Sequence, residues 1–111
     1  MSPADIRKEG TAYDLPLAIG ILAASDSVKP DKLEEYIIMG ELSLDGSILP
    51  IKGVLPIAIM ARTMGFKGII LPNKNAREAA VVNNLEVYGV DNIKEVVNFF
   101  NGEHDLEKTI V

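Results

Sequence analysis

The chain has 111 residues, a formal net charge of −5 at pH 7 and no cysteine, which fits one domain and excludes disulfides, thiol chemistry and zinc–thiolate sites. The acidic balance argues against direct binding to a nucleic-acid backbone, which needs clustered Lys and Arg. Nearly half of the residues are apolar but no run has the length of a membrane span and no signal-peptide pattern opens the chain, so we expect a cytoplasmic domain with no membrane contact.

The first predicted element is a helix. A run rich in Leu, Ile and Ala predicts a buried helix over residues 15–25, with Asp14 as its N-cap. Gly20 inside this helix indicates close packing against a neighbour. A short helical turn is predicted next, over residues 31–35.

A hairpin is the strongest local prediction. Apolar runs over residues 36–42 and 48–51 flank Asp45-Gly46, and an Asp-Gly pair between such runs is typical of a tight turn. We therefore expect two antiparallel strands, the second of which ends at Pro50 or lies at an edge.

The second half of the chain alternates helices and strands. The predicted elements are a helix over 54–64 that ends at Gly65, a strand over 66–71, a helix over 76–82 capped by Asn75, a strand over 85–90, and a helix over 93–100 capped by Asp91. This alternation predicts βαβ units, so the last two strands should run parallel in a mixed sheet.

Two segments carry a resemblance to a known family. Residues 40–54 read G-E-L-S-L-D-G-S-I-L-P-I-K-G-V, and residues 69–75 read I-I-L-P-N-K-N. Both resemble stretches of the Lon protease domain, in which G-E-[IL]-[ST]-L-x-G-x-[VIL]-L-P-[IV]-x-G is followed by a strand ending in I-L-P-x-x-N. The resemblance implies an α+β or α/β Lon-protease-like domain of the ribosomal-protein-domain-like βαβ fold, with helices packed on a mixed sheet.

The catalytic pair of Lon is missing from this sequence. Residues 14–20 read D-L-P-L-A-I-G and lie where Lon enzymes carry D-G-P-S-A-G with the nucleophilic serine. Lon pairs this serine with a lysine that acts as its base. By resemblance the serine position is Leu17 and the lysine position is Ile57, and neither side chain can donate, accept or carry a charge. The resemblance therefore implies no catalytic residue and no enzyme activity in these residues.

A third segment narrows the family. Residues 3–10 read P-A-D-I-R-K-E-G, and together with residues 13–20 they resemble the signature of the Mg-chelatase-like AAA+ ATPases of the ComM/YifB type. The RadA recombination proteins are the next closest resemblance. The resemblance implies an N-terminal Lon-like domain over residues 1–102 that lacks its first strands, followed by a charged tail or linker over residues 103–111.

The resemblance also implies partners and cofactors. A scaffold or assembly role in a larger ATPase is expected, with the AAA+ module of the same chain and a homo-oligomeric ring as partners and DNA, in competence or recombination, as a candidate substrate of the parent. No G-x-x-x-x-G-K-[ST] is present in the sequence, so ATP and Mg are expected in the parent and no cofactor in this segment. The alternatives are a Lon-type Ser-Lys ATP-dependent peptidase domain and a stand-alone binding module.

Apolar helix faces are the remaining candidates for a site. The helix over residues 54–64 is apolar nearly all round, which is typical of burial on more than one side. In the Lon arrangement the two dyad positions would lie close together and form an apolar patch. The predicted interface residues are Leu17, Leu55, Ile57, Ile59 and Met60.

Polar candidates have simpler interpretations. His104 lies in the charged tail, where a solvated side chain is expected, and Asp45 is explained by the turn that it begins. Asn75 is explained as a helix N-cap, and the charged residues 7–9 as a solvated loop. No metal site is predicted.

Overall fold

A computed structural model of the chain describes residues 11–110. The segment over residues 3–10, on which the narrower resemblance rests, lies outside the described residues. In chain order the described elements are α1 (Asp14–Ala24), a 3-10 turn (Leu33–Glu35), β1 (Tyr36–Ile38), β2 (Glu41–Leu42), β3 (Ile48–Leu49), α2 (Val54–Thr63), β4 (Gly68–Pro72), α3 (Asn73–Ala79), β5 (Glu86–Val90) and α4 (Ile93–Phe100).

The strands form two sheets rather than one mixed sheet. β1, β4 and β5 form a parallel sheet in the order β1-β4-β5, and β2 pairs with β3 in a separate antiparallel hairpin. The expected parallel pairing of the last two strands is confirmed, with Ile70 opposite Tyr88. The α+β class that the sequence predicts is therefore confirmed.

Side-chain alternation along the parallel strands creates two hydrophobic clusters. Ile70 of β4 belongs to a first cluster, whereas its neighbours Ile69 and Leu71 belong to a second. Successive side chains of a strand point to opposite faces of the sheet. The two clusters therefore lie on opposite faces of the sheet.

Each cluster is covered by two helices. Leu15 and Ile19 of α1 join the first cluster together with Val96 of α4. Ala58 of α2 and Ala76 of α3 join the second. The molecule is thus a three-layer arrangement in which α1 and α4 lie on one face of the sheet, and α2 and α3 on the other.

The predicted strand over residues 36–42 is interrupted at Met39 and Gly40. Gly40 N–H donates to the Ala12 carbonyl at 2.8 Å, and Leu15 N–H donates to the Gly40 carbonyl at 3.0 Å. These bonds leave β1 in the parallel sheet and β2 in the hairpin. A Cβ atom at Gly40 would lie 2.9 Å from Cγ2 of Ile48, so the crossing requires a residue without a side chain.

The predicted turn at Asp45-Gly46 is confirmed. Ser43 N–H donates to the Ser47 carbonyl at 2.8 Å, and Gly46, at φ +91°, donates to the Ser43 carbonyl at 3.0 Å. This is a three-residue loop that closes with a left-handed glycine. Ile48 N–H donates to the Asp91 carbonyl at 2.8 Å, which anchors the hairpin to the end of β5.

Three predicted helix caps are wrong. Asp14 is the first residue of α1, not its cap, and Tyr13 occupies the N-cap position. α3 begins at Asn73, so Asn75 lies inside the helix. Asn92, not Asp91, caps α4 and forms a capping box with Glu95. In each case the chain enters the helix one to three residues away from the predicted position.

The segment after α4 returns to the sheet. α4 ends at Asn101, followed by Gly102 at φ +76°. Lys108 then forms an antiparallel bridge with Tyr88, and Thr109 N–H donates to the Val87 carbonyl at 2.7 Å. The expected boundary at residue 102 stays a prediction, but part of the charged tail packs along β5.

Candidate functional site

Leu17, the position that matches the Lon serine, lies on the outer surface of α1. Leu15 and Ile19 on the same helix are 0% and 1% exposed, whereas Leu17 is 65% exposed. Residues two apart on a helix point in different directions. The fold therefore uses α1 as a support and presents position 17 to the surroundings, as an apolar side chain.

Ile57, the position that matches the Lon lysine, is half-buried. It lies in the first turns of α2 and, with Leu55, packs against the second cluster. Ile59 and Met60, the other predicted interface residues on this helix, are 43% and 47% exposed. α2 therefore divides the predicted interface set, with two residues turned inward and two turned outward.

The two dyad positions lie on helices that flank opposite faces of the sheet. Both helices begin near its carboxyl edge: α1 at Gly40, which follows β1, and α2 after Ile51, which is bonded to Asn75 beyond β4. Leu17 belongs to neither cluster, whereas Ile57 packs on the second. One apolar patch shared by Leu17 and Ile57 stays a prediction that the packing does not support.

The two motif segments are joined by a pair of hydrogen bonds. Ile51 N–H donates to Oδ1 of Asn75 at 2.9 Å, and Nδ2 of Asn75 donates to the Ile51 carbonyl at 2.8 Å. Asn75 is buried, at 8% exposure. The carboxamide thus pairs with a backbone as a neighbouring strand would and holds the end of the hairpin against α3. Sequence reasoning missed this role, and the only signal for it was the spacing P-x-x-N.

Asp14 also joins distant segments. Its carboxylate accepts a hydrogen bond from Leu42 N–H at 3.1 Å and from Thr11 N–H at 3.0 Å. The first of these bonds ties the start of α1 to β2. The acidic residue of the D-x-P motif therefore has a structural role in this chain.

A polar cluster lies at the amino edge of the sheet. The Tyr88 hydroxyl donates to Oε1 of Glu86 at 2.5 Å, and Tyr36 packs edge-on against Tyr88 with ring centroids 5.9 Å apart. Burial, and then the hydrogen bond to Glu86, raise the pKa of Tyr88. Burial also raises the pKa of Tyr36, although nearby Lys67 opposes the shift. These phenols stay protonated at neutral pH and act as core residues.

The other polar candidates take the positions expected of them. Oδ1 of Asp45 accepts from Ser47 N–H at 2.9 Å, and this hydrogen bond lowers the pKa of its carboxyl group. His104 is exposed. Over residues 11–110, no three His, Asp or Glu side chains are grouped so as to hold a metal ion.

Two apolar surface stripes remain. The α1 stripe consists of Tyr13, Leu17 and Ile21, which follow one another at four-residue intervals and are 64%, 65% and 69% exposed. The α2 stripe consists of Ile59, Met60 and Met64, of which Met64 is 65% exposed. Because the helices cover opposite faces of the sheet, the stripes lie on opposite sides of the molecule.

The motifs that the structure joins are also those that relate the chain to known proteins. A family model described as "Subunit ChlI of Mg-chelatase" matches residues 1–75. The chain belongs to this family. The matched stretch ends at Asn75 and so contains both halves of the bonded pair between the hairpin and α3.

Members of the Mg-chelatase-like family with high similarity extend over nearly the whole chain. Competence protein ComM of Haemophilus influenzae is 40% identical over 106 residues, which cover 96% of this chain and 21% of that protein. YifB of Escherichia coli strain K12 is 39% identical over 108 residues, 97% of this chain and 21% of that protein. The chain thus spans about a fifth of the length of these curated relatives.

A more distant similarity connects this family with Lon. Lon protease 2 of Bacillus subtilis strain 168 is 29% identical over 97 residues, which cover 86% of this chain and 17% of that protein. The similarity to Lon that the sequence motifs indicate is therefore confirmed. Within the part of the chain that the structure describes, no helix is both long enough and apolar enough to cross a membrane.

Proposed function

We propose that this chain is a non-catalytic scaffold or assembly domain of a Mg-chelatase-related AAA+ ATPase. The observation that carries the proposal is the state of Leu17. The position that matches the Lon nucleophile holds an exposed apolar side chain between two others, Tyr13 and Ile21. Such a surface suits contact with another protein surface, whereas an acyl-transfer site needs a nucleophile and a base within hydrogen-bond reach.

The parent protein in this proposal is a cytoplasmic ATPase. ATP and Mg bind to its AAA+ module, which is the partner of this domain in the same chain, and copies of the parent assemble into a ring. The support is membership of the Mg-chelatase family together with the length of the relatives, of which this chain spans about a fifth. The name of ComM supports a role for the parent in competence, with DNA as its substrate.

The rival function is a Lon-type Ser-Lys peptidase, which the similarity to Lon protease 2 favours. The chain and an active Lon protease are incubated with a fluorogenic peptide and with a serine-directed fluorophosphonate. We expect neither hydrolysis nor labelling by the chain. Labelling that disappears on replacement of one serine would identify a nucleophile and refute the non-catalytic assignment.

The assembly role is tested separately by sedimentation equilibrium up to about 1 mM, where contacts of about 4 kcal/mol become populated. We expect the average mass to rise with concentration, and Ile21→Glu to suppress that rise. Asn83→Glu is the matched control because residue 83 is exposed in the turn after α3 and receives the same charge. Equal self-association of the two variants would contradict the proposal.

A further inference from the structure

We propose that copies of this domain contact one another heterologously, with the α1 stripe of one copy packed on the α2 stripe of the next. This inference rests on the proposed assembly function and specifies its two surfaces and its partner, a second copy of this chain. The occupant follows from the placement of the stripes, from the glycine in α1 and from the absence of charge on both faces.

Placement on opposite sides of the molecule decides the type of contact. A twofold dimer uses the same patch on both partners, so it would cover one stripe and leave the other exposed in every copy. Head-to-tail contacts cover both stripes in each copy, and they close into a ring when the rotation between copies allows it. The pair of stripes therefore fits a repeating assembly better than an isolated dimer.

Gly20 is an independent indication that another element approaches α1. It lies mid-helix on the exposed side, and a Cβ atom built there would have no heavy atom within 4 Å. The close neighbour that the sequence predicts for Gly20 is thus not supplied by the described residues. Glycine within a helix costs about 0.5–1 kcal/mol relative to alanine, and a close helix–helix approach is a reason for that cost.

The two surfaces are complementary in shape and charge. Around Gly20, the α1 surface alternates large Leu17 and Ile21 with the small Ala24, which leaves shallow positions for protruding side chains. The α2 stripe offers Met60 and Met64, whose unbranched side chains adapt to such positions. Neither stripe contains a charged residue, so packing them together buries no unpaired ion.

The size of the surfaces sets the strength of the contact. α1 has 11 residues and is therefore about 16 Å long. One helix face of this length is smaller than the roughly 800 Å² per partner that stable complexes bury. Contacts between free copies are consequently weak and have to be trapped covalently.

Disulfide trapping tests the pairing because the chain has no cysteine. Ile21→Cys and Met60→Cys variants are mixed in equal amounts at about 0.5 mM, near the range where weak contacts are populated, and are oxidised. Mass spectrometry distinguishes the mixed dimer from the two homodimers, and random collision gives a ratio of two mixed dimers to one of each homodimer. We expect the mixed dimer to exceed this ratio at least threefold.

The matched control is the pair Lys94→Cys and Glu78→Cys. These exposed residues also lie on opposite faces, on α4 and α3 respectively, but outside the stripes. We expect the control pair to give the random ratio and slower oxidation. Circular dichroism of each reduced variant verifies that the fold is retained.

Each other outcome overturns the inference in a recognisable way. Enrichment of the Ile21→Cys homodimer would mean that α1 stripes pack on each other, which refutes the heterologous contact and leaves the assembly role intact. Trapping no faster than in the control pair would refute the contact itself. Failure of the assembly role is registered separately, as a constant monomer mass in sedimentation.

Discussion

Replacing Asn75 by alanine should be among the most damaging single changes to this fold. The substitution removes both hydrogen bonds to Ile51, at 2.9 and 2.8 Å, and leaves a backbone N–H and a carbonyl without their partner in a buried region. Each such group costs about 1–3 kcal/mol. We therefore expect Asn75→Ala to lower the free energy of unfolding by about 2–5 kcal/mol, a large part of the 5–15 kcal/mol typical of a domain.

The assay is urea denaturation of the full chain, monitored by circular dichroism. Asn75→Asp has nearly the same volume and removes only the donor to the Ile51 carbonyl, so it isolates the hydrogen bond from the packing. Asn83→Ala, in an exposed turn, should change stability by less than about 0.5 kcal/mol. If Asn75→Ala costs no more than Asn83→Ala, the bond between the hairpin and α3 does not support the fold.

Three further predictions concern positions elsewhere in the chain. Gly20→Ala should raise the thermal midpoint, gaining about 0.5–1 kcal/mol because its Cβ meets open space; a loss of stability would show that the helix needs glycine there. Gly68→Ala should cost about 1–3 kcal/mol in the same assay because its Cβ would lie 2.7 Å from the Glu86 carbonyl oxygen, and an unchanged midpoint would contradict this strand spacing. Because the folded pKa of Tyr88 is raised above its ordinary value of 10.0, its contribution is complete below pH 10 and is lost as the unfolded state deprotonates above it; Tyr88→Phe should therefore flatten the decline in denaturation midpoint between pH 10 and 11, and an equally steep decline would be inconsistent with the buried phenol.

Local patterns in the sequence were sufficient for the type and order of the regular elements. The Asp45-Gly46 turn and the parallel pairing of β4 with β5 depend on turn chemistry and on the alternation of strands with helices, both of which are visible along the chain. The break at Gly40 was not visible, because it depends on Ile48 approaching from the other strand of the hairpin.

Polar residues with distant partners were assigned wrongly. Asp14 and Asn75 are both residue types that favour helix caps, and the sequence interpretation used them in that way. Their actual partners lie 28 and 24 residues away, at Leu42 and Ile51. Local propensity carries no information on such contacts, so the bond that links the two family motifs could be found only from the fold.

The site was predicted in part. Resemblance placed the dyad positions at Leu17 and Ile57, and the exposure of Leu17, Ile59 and Met60 is consistent with their selection as interface residues. Leu55 and Ile57 pack on the second cluster instead. Apolar composition predicted that α2 has more than one apolar side, but the direction of each side depends on which face of the sheet the helix covers.

Sedimentation equilibrium of the chain and of its Ile21→Glu variant tests the central claim most directly. Ile21 is 69% exposed in the middle of the α1 stripe, so the charge should not disturb the core. An assembly surface predicts that the wild-type average mass rises with concentration towards about 1 mM while the variant remains monomeric. A wild-type chain that stays monomeric over this range, with a mass indistinguishable from that of Ile21→Glu, would contradict the account.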